Sequence, residues 1–176
     1  MAKNTIKDVL WEITQNCIHR LGLLDCVIYL FHEEDQTLRQ FAALGEKQAD
    51  GSWEVVNPIA LKLGQGIVGH VALTGTPEII SDTTKDARYV QDVDGCQSEI
   101  AVPIKLGDKL IGVLDSEHPE KHFYQPKHLE MLSTIASLCA FKIDSLHNMD
   151  KLIRTNAQLR IAQKVAQLGA WEYSNI

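Results

Sequence analysis

Long apolar runs are missing from this sequence. No stretch approaches the ~20 consecutive apolar residues of a membrane-spanning helix, and the start, MAKNTIKDVL, lacks the apolar core of a secretory signal. Basic residues are also few, 17 Lys and Arg against 23 Asp and Glu for a net charge of −6, and they are scattered rather than gathered for a phosphate backbone. These absences point away from nucleic acid and membrane as partners and lead us to expect a cytoplasmic chain. Cysteine is scarce. Cys17, Cys26, Cys96 and Cys139 stand singly in apolar or mixed surroundings with no CxxC pair, the usage of a reducing compartment where thiols fill cores. His118, His122 and His128 lie close in sequence, but Pro119 and Pro126 break any regular presentation of them, so no metal site is expected.

What is there is ordinary globular composition, 45% hydrophobic and 23% charged, enough for one domain plus an appendage. Ile6, Val9, Leu10, Ile13, Cys17 and Leu21 follow helical spacing after Asn4 and Thr5, either of which suits a cap, and Gly22 suits a stop. Cys26 to His32 and Leu38 to Leu44 read as a hairpin around a polar EEDQ turn. Trp53 to Leu63 is a strand broken at Asn57-Pro58, Ile67 to Thr74 a short helix ending at Gly75, and Glu78 to Ile80 a short strand. Ser81 to Gly95 is polar and turn-rich around Tyr89, Val90 and Val93, the pattern of a loop folded over something. From Pro126 to about Gln167 the pattern is helical, with Leu132, Ile135, Cys139, Leu146, Met149 and Ile153 near heptad core positions, which predicts pairing with a second copy. This order of elements fits the α+β class, an antiparallel sheet with its helices gathered to one side.

The stretch SEIAVPIKLGDKLIGVLDSEH, Ser98 to His118, is a second hairpin whose acids sit far from its turn. With Gly107 and Asp108 as a two-residue turn, Asp115 faces Ile100, Glu117 faces Ser98, and the acids split between faces. On that register Ile100, Val102, Ile104, Ile111 and Val113 share one face. A three-residue turn or a bulge would set Glu99 opposite Asp115 with Glu117 diagonal, and all three acids would converge. Converging carboxylates raise one another's pKa unless a cation or donor compensates them, and that donor could be a ligand ammonium.

LGQGIVGHVALTGTPEIISDTTKDARYV and SEIAVPIKLGDKLIGVLDSEHPEKHFYQPKHLEMLSTIA resemble the GAF domain family, small-molecule-sensing modules of signalling proteins. The resemblance implies a central antiparallel sheet, terminal helices packed on one face, and on the other a ligand pocket roofed by Ile67 to Cys96. It assigns to that pocket Glu99, Asp115, Glu117, Ile67, Val68, Tyr89, Val93 and Cys96, and to the dimer the terminal helices. The tail RIAQKVAQLGAWEYSNI resembles the opening of a PAS domain, where a helix leads through Gly-x-Trp into a strand. The expected organisation is residues 1–147 as the GAF sensor, 148–168 as a signalling linker helix and 169–176 as the start of a PAS domain. Such an order is typical of sensor histidine kinases and diguanylate cyclases, which would lie outside this segment.

One GAF subgroup reduces free methionine sulfoxide, and its substrate-holding acids match Glu99, Asp115 and Glu117. Where that enzyme has cysteines, this chain has Pro58, Val68 and Asp92. Sulfoxide reduction needs a thiolate and a resolving thiol, so the expectation is the binding half of that chemistry, an amine or amino-acid-like ligand, without catalysis. No cysteine precedes a histidine as in bilin-binding members, and no haem or metal signature appears, so the cofactor is left unassigned. Gly64, Gly66 and Gly69 spell GxGxxG, but no βαβ unit surrounds them, and they read as turn glycines. The competing expectation is a ligand-free GAF module that only dimerises.

Overall fold

The computed structural model describes residues 5–49, 53–92 and 94–173, the side chains of residues 16–20 and 165–173 excepted. Helix α1 (Ile6–Leu21) opens on a reciprocal cap. The Thr5 N–H donates to Asp8 Oδ2 at 2.7 Å and the Asp8 N–H to Thr5 Oγ1 at 3.2 Å, so two of the backbone donors at the helix start are satisfied. The helix buries Val9, Leu10, Trp11 and Thr14.

Strands β1 (Cys26–His32), β2 (Thr37–Leu44), β3 (Ala60–Lys62), β4 (Glu78–Ile80), β5 (Ser98–Leu106) and β6 (Lys109–His118) make one antiparallel sheet in the order β3-β2-β1-β6-β5-β4. Helix α2 (Gly66–Thr74) joins β3 to β4. The fold is the expected α+β arrangement, a curled six-stranded antiparallel sheet with helices.

The β5–β6 hairpin departs from both anticipated registers. Its turn is the two-residue Gly107-Asp108, with Leu106 opposite Lys109 and Lys105 opposite Leu110. Ladder pairing then skips Ile111, so Ile104 faces Gly112, Ala101 faces Asp115 and Glu99 faces Glu117. The bulge thus lies on β6, and it turns Val113, Asp115 and Glu117 onto the face that carries Glu99 and Ala101. All three acids converge, with Glu117 rather than Asp115 opposite Glu99. Val113 leaves the face it was expected to share with Ile100, Val102 and Ile104. Gly112 allows the bulged strand to lie close on β1, where an added Cβ would come within 2.0 Å of the Tyr29 carbonyl oxygen.

The two faces differ in what they bury. Val27, Tyr29, Ala101 and Val113 form one core cluster with Ile67, Val68, Val71 and Ala72 of α2. On the opposite parity Ile28, Ile100, Val102, Ile104 and Leu114 form a second buried layer, where the Ser116 hydroxyl meets the Tyr124 hydroxyl at 2.8 Å just before the last helix. The GxGxxG glycines serve packing here. Gly64 donates its N–H to Gly69 O at 2.8 Å, and a Cβ on Gly69 would lie 2.4 Å from the Lys62 carbonyl, so glycine lets α2 fold back on its own entry loop.

Helix α3 (Pro126–Tyr173) starts with proline at its first helical position, where no N–H is needed. Leu132, Ala136, Cys139 and Ala140 form a stripe that is at most 1% exposed. Leu132 and Cys139 are therefore core residues of the domain and cannot serve the pairing seam in which the heptad reading placed them. The apolar residues left outward on the same stretch are Met131, Leu138 and Phe141. The chain divides into compact units at Lys142/Ile143, and in the second, all helical, Met149, Leu152, Ile153, Leu159 and Ile161 are exposed. Helical backbone continues to Tyr173, past the Gly169-Ala170-Trp171 stretch where a strand was expected, and residues 174–176 lie outside the described residues. Among the described residues no helix is long and apolar enough to cross a membrane.

Candidate functional site

The bulge in β6 and a second bulge between β1 and β2 assemble the site. At the latter, Ile28 pairs with Ala42 but Tyr29 pairs with Gln40, so Gln40 joins Tyr29 on the α2 side of the sheet instead of alternating away from it. Glu99, Asp115 and Glu117, at 4%, 5% and 6% exposure, then form the polar floor of a chamber on this face. Ile67 and Val68 of α2, Tyr29 and Leu61 of the sheet, and Val90 and Asp92 of the covering loop complete its walls. Its volume is about 10 Å³, the space of roughly one water molecule.

Of the residues assigned to this pocket, Glu99, Asp115, Glu117, Ile67 and Val68 are brought together as expected. Tyr89 packs against the same core cluster, and its buried hydroxyl has no hydrogen-bond partner among the described residues. Cys96 lines a second, larger cavity of about 430 Å³, whose wall also includes Glu117, Asp25, Glu46 and Asp94. Glu117 is common to both spaces. Val93 lies outside the described residues.

Three residues not assigned from the sequence hold the covering loop down. Asp92 forms an ion pair with Lys47, itself only 8% exposed at its side chain, and accepts a hydrogen bond from the Gln40 amide. The same Gln40 nitrogen reaches the Tyr29 hydroxyl at 2.8 Å, its Oε1 accepts from the Ile59 N–H at 3.1 Å, and Lys47 Nζ donates to the Asn57 carbonyl at 3.2 Å. Counted from the hairpin turn, His32 opposite Thr37 leads to Tyr29 opposite Gln40, so a glutamine on the face of Tyr29 and Leu38 was the available signal; Lys47 lies in a polar loop and gave none.

The electrostatics follow from burial. Desolvation pushes Glu117 up to about 7, and pushes Glu99 and Asp115 well above the ordinary carboxylate range. Their mutual repulsion adds to this, Glu117 acting on Glu99 and both Glu99 and Glu117 acting on Asp115. Among the described residues Asp115 Oδ1 is buried with no hydrogen-bond partner. Next to them Asp25, which accepts the Glu117 N–H at 2.6 Å, is pushed up to about 8, again chiefly by burial. Lys47 is the cation that lowers Glu117, and it is already committed to Asp92 and Asn57. The Cys96 thiol is pushed up to about 12 by burial and by Glu117, so it is not a thiolate at neutral pH. Among the described residues no cluster of three or more His, Cys, Asp or Glu side chains has the arrangement of a metal site.

Comparison with known proteins places the fold. The chain is 23% identical over 177 residues to the Nif-specific regulatory protein of Azospirillum lipoferum, covering 94% of the chain and 27% of the regulator. It is 26% identical to that of Azospirillum brasilense over 145 residues, 76% of the chain and 22% of the regulator. The chain thus spans about a quarter of the length of these relatives. Among solved structures, free methionine-R-sulfoxide reductase from Neisseria meningitidis in complex with its substrate superposes with a TM-score of 0.74 at 16% identity, covering 84% of this chain and 83% of that one. The GAF domain of an Acinetobacter phosphoenolpyruvate-protein phosphotransferase gives 0.71 at 19% identity, covering 85% and 89%. At these identities the likeness is one of fold. The GAF domain family model matches residues 3–144, and the chain belongs to the GAF domain family.

Proposed function

We propose that this domain is the ligand-sensing module of a larger signal-transduction protein, and that its ligand is a small ammonium-bearing molecule held by Glu99, Asp115 and Glu117. The observation that carries the reading is the unpartnered, buried Asp115 Oδ1 in a chamber floored by three carboxylates, beside which Lys47 is already engaged by Asp92. A buried acceptor without a donor costs about 1–3 kcal/mol, a cost that an entering ammonium removes. The reductase of similar fold is solved in complex with its substrate, which supports small-molecule binding by a domain of this fold. The Azospirillum relatives are named as regulators, which supports a signalling role for the whole protein, with a histidine kinase, a diguanylate cyclase or another regulator as the output. Catalysis by this segment is disfavoured by the high pKa of the Cys96 thiol. Titration calorimetry of the domain against amino acids, methionine sulfoxide and simple amines is expected to give binding that Asp115→Asn weakens about 30-fold or more. Absence of heat across the whole panel would overturn the reading in favour of a ligand-free dimerisation module, to which the small chamber volume otherwise points.

Signal output is assigned to α3, paired in parallel with a second copy. The seam runs along the outward residues Leu138, Phe141, Leu152 and Leu159, shifted from the expected one because Leu132 and Cys139 are internal. Leucines about 60% exposed, at positions 138, 152 and 159 of one helix, support this pairing. The double substitution Leu138→Asp, Leu152→Asp should convert a dimer to a monomer in analytical ultracentrifugation, and a monomeric wild type or an unchanged variant would remove the pairing from the proposal.

A further inference from the structure

We infer that the ligand is an aliphatic diamine or polyamine, one ammonium in the carboxylate chamber and the next in the adjoining cavity beyond Glu117. This rests on the amine reading above and specifies its ligand class. The chamber's size is the first argument. At about 10 Å³ it admits one ammonium head and no more, so the rest of any ligand must lie elsewhere unless the covering loop lifts off Lys47 and Gln40. The adjoining cavity supplies that space. It measures about 430 Å³, within the range of about 300–1,000 Å³ usual for small-molecule sites, and Glu117 forms part of both walls.

The second argument is the sign of the charge in that outer space. Its acidic lining is Asp25, Glu46, Asp94 and Glu117, and among the described residues no Lys, Arg or His lines it. The carboxylate of an amino acid seated there would face acids with no cation to answer it, whereas a second ammonium would be matched. Leu24, Pro119 and the uncharged Cys96 thiol give the methylene chain apolar contact. Glu46 and Asp94 are exposed, so they can meet a charge that remains partly hydrated, and the inner triad takes the fully desolvated one. The buried, unpartnered Asp115 Oδ1 distinguishes this from a merely acidic surface, because it provides a fixed end at which the ligand must register.

The experiment is calorimetry of the wild-type domain at fixed ionic strength with butylamine, putrescine, spermidine and lysine. Putrescine and spermidine are expected to bind about tenfold or more tightly than butylamine, the size of one or two part-exposed ion pairs, and more tightly than lysine. In Glu46→Gln/Asp94→Asn, both at exposed positions where folding is not at stake, the preference over butylamine should fall to nearly nothing while butylamine itself is unaffected. Asp115→Asn should weaken all of them together. Equal affinity for butylamine and putrescine, or tighter binding of lysine, would overturn the diamine assignment and leave the amine reading standing. No binding by any of the four or by the amino-acid panel would remove both. Diamine binding that Asp115→Asn leaves intact would show attraction to acidic surface alone, and also overturns the inference.

Discussion

Asp115→Asn is expected to raise the melting temperature of the ligand-free domain by roughly 5–10 °C at pH 7.5, even though it weakens ligand binding. The reason is that desolvation and the charges of Glu99 and Glu117 together push the pKa of this carboxyl well above the ordinary value, so keeping it in the folded chamber costs stability at pH 7.5. Relieving a buried polar group left without a partner is worth about 1–3 kcal/mol. Asparagine has the same shape and carries no charge, so it fills the position without that cost. For a chain of this size a gain of that order corresponds to several degrees in melting temperature. At pH 4, close to the ordinary pKa, the unfolded side chain is itself about two-fifths protonated, and the gain should shrink to a degree or two. A variant less stable than wild type at pH 7.5 would mean that the Asp115 carboxylate is compensated by something in the protein. The premise that the site stores repulsion for a ligand to relieve would then fail. Stability given up at a binding site is a common consequence of preorganised charge.

Much of this arrangement is legible before any coordinates. The β1 and β4 strands, the short helix closing at Gly75 and the two turns follow from β-branched runs, glycine and polar punctuation, which act locally. The Gly75 cap has φ +66° and donates its N–H to Val71 O at 2.8 Å, a conformation that glycine adopts without strain. The site itself depends on two bulges, and a bulge is a tertiary compromise. Nothing in KLIGV marks Ile111 as the residue that drops out of the ladder, yet that one residue decides whether Asp115 and Glu117 meet Glu99 or point away from it. The sequence therefore leaves both registers open, and the convergence of the three acids rests on the structure. Two residues expected in the α3 seam are internal for a related reason. A heptad pattern on a helix that also packs on its own domain records both contacts, and Leu132 and Cys139 belong to the inner one.

Amine binding should strengthen about tenfold per pH unit for each proton the site releases, rising from pH 6 to beyond pH 8 and turning over when the amine loses its own proton near pH 10. In the empty chamber burial favours the protonated forms, raising Glu117 to about 7 and Glu99 and Asp115 well above the ordinary range. An ammonium needs ionised acceptors, so it competes with those protons, and titrations in buffers of different ionisation enthalpy should report at least one proton released. The stability of the empty domain has the opposite slope. Folded-state pKa values raised above the unfolded ones contribute stability that is complete below about pH 4.5. It is lost as pH climbs through about 7 for Glu117 and about 8 for Asp25. Asp35 and Asp86, held below the ordinary range by Thr37 and Arg88, oppose this only on the acid side, so the ligand-free melting temperature should peak near pH 5 and decline towards pH 8. Saturating ligand should move that maximum upward in pH. Affinity that does not change between pH 6 and 8, with no proton released, would mean the carboxylates are already ionised in the empty chamber, and the account of why Asp115 waits without a partner would be wrong.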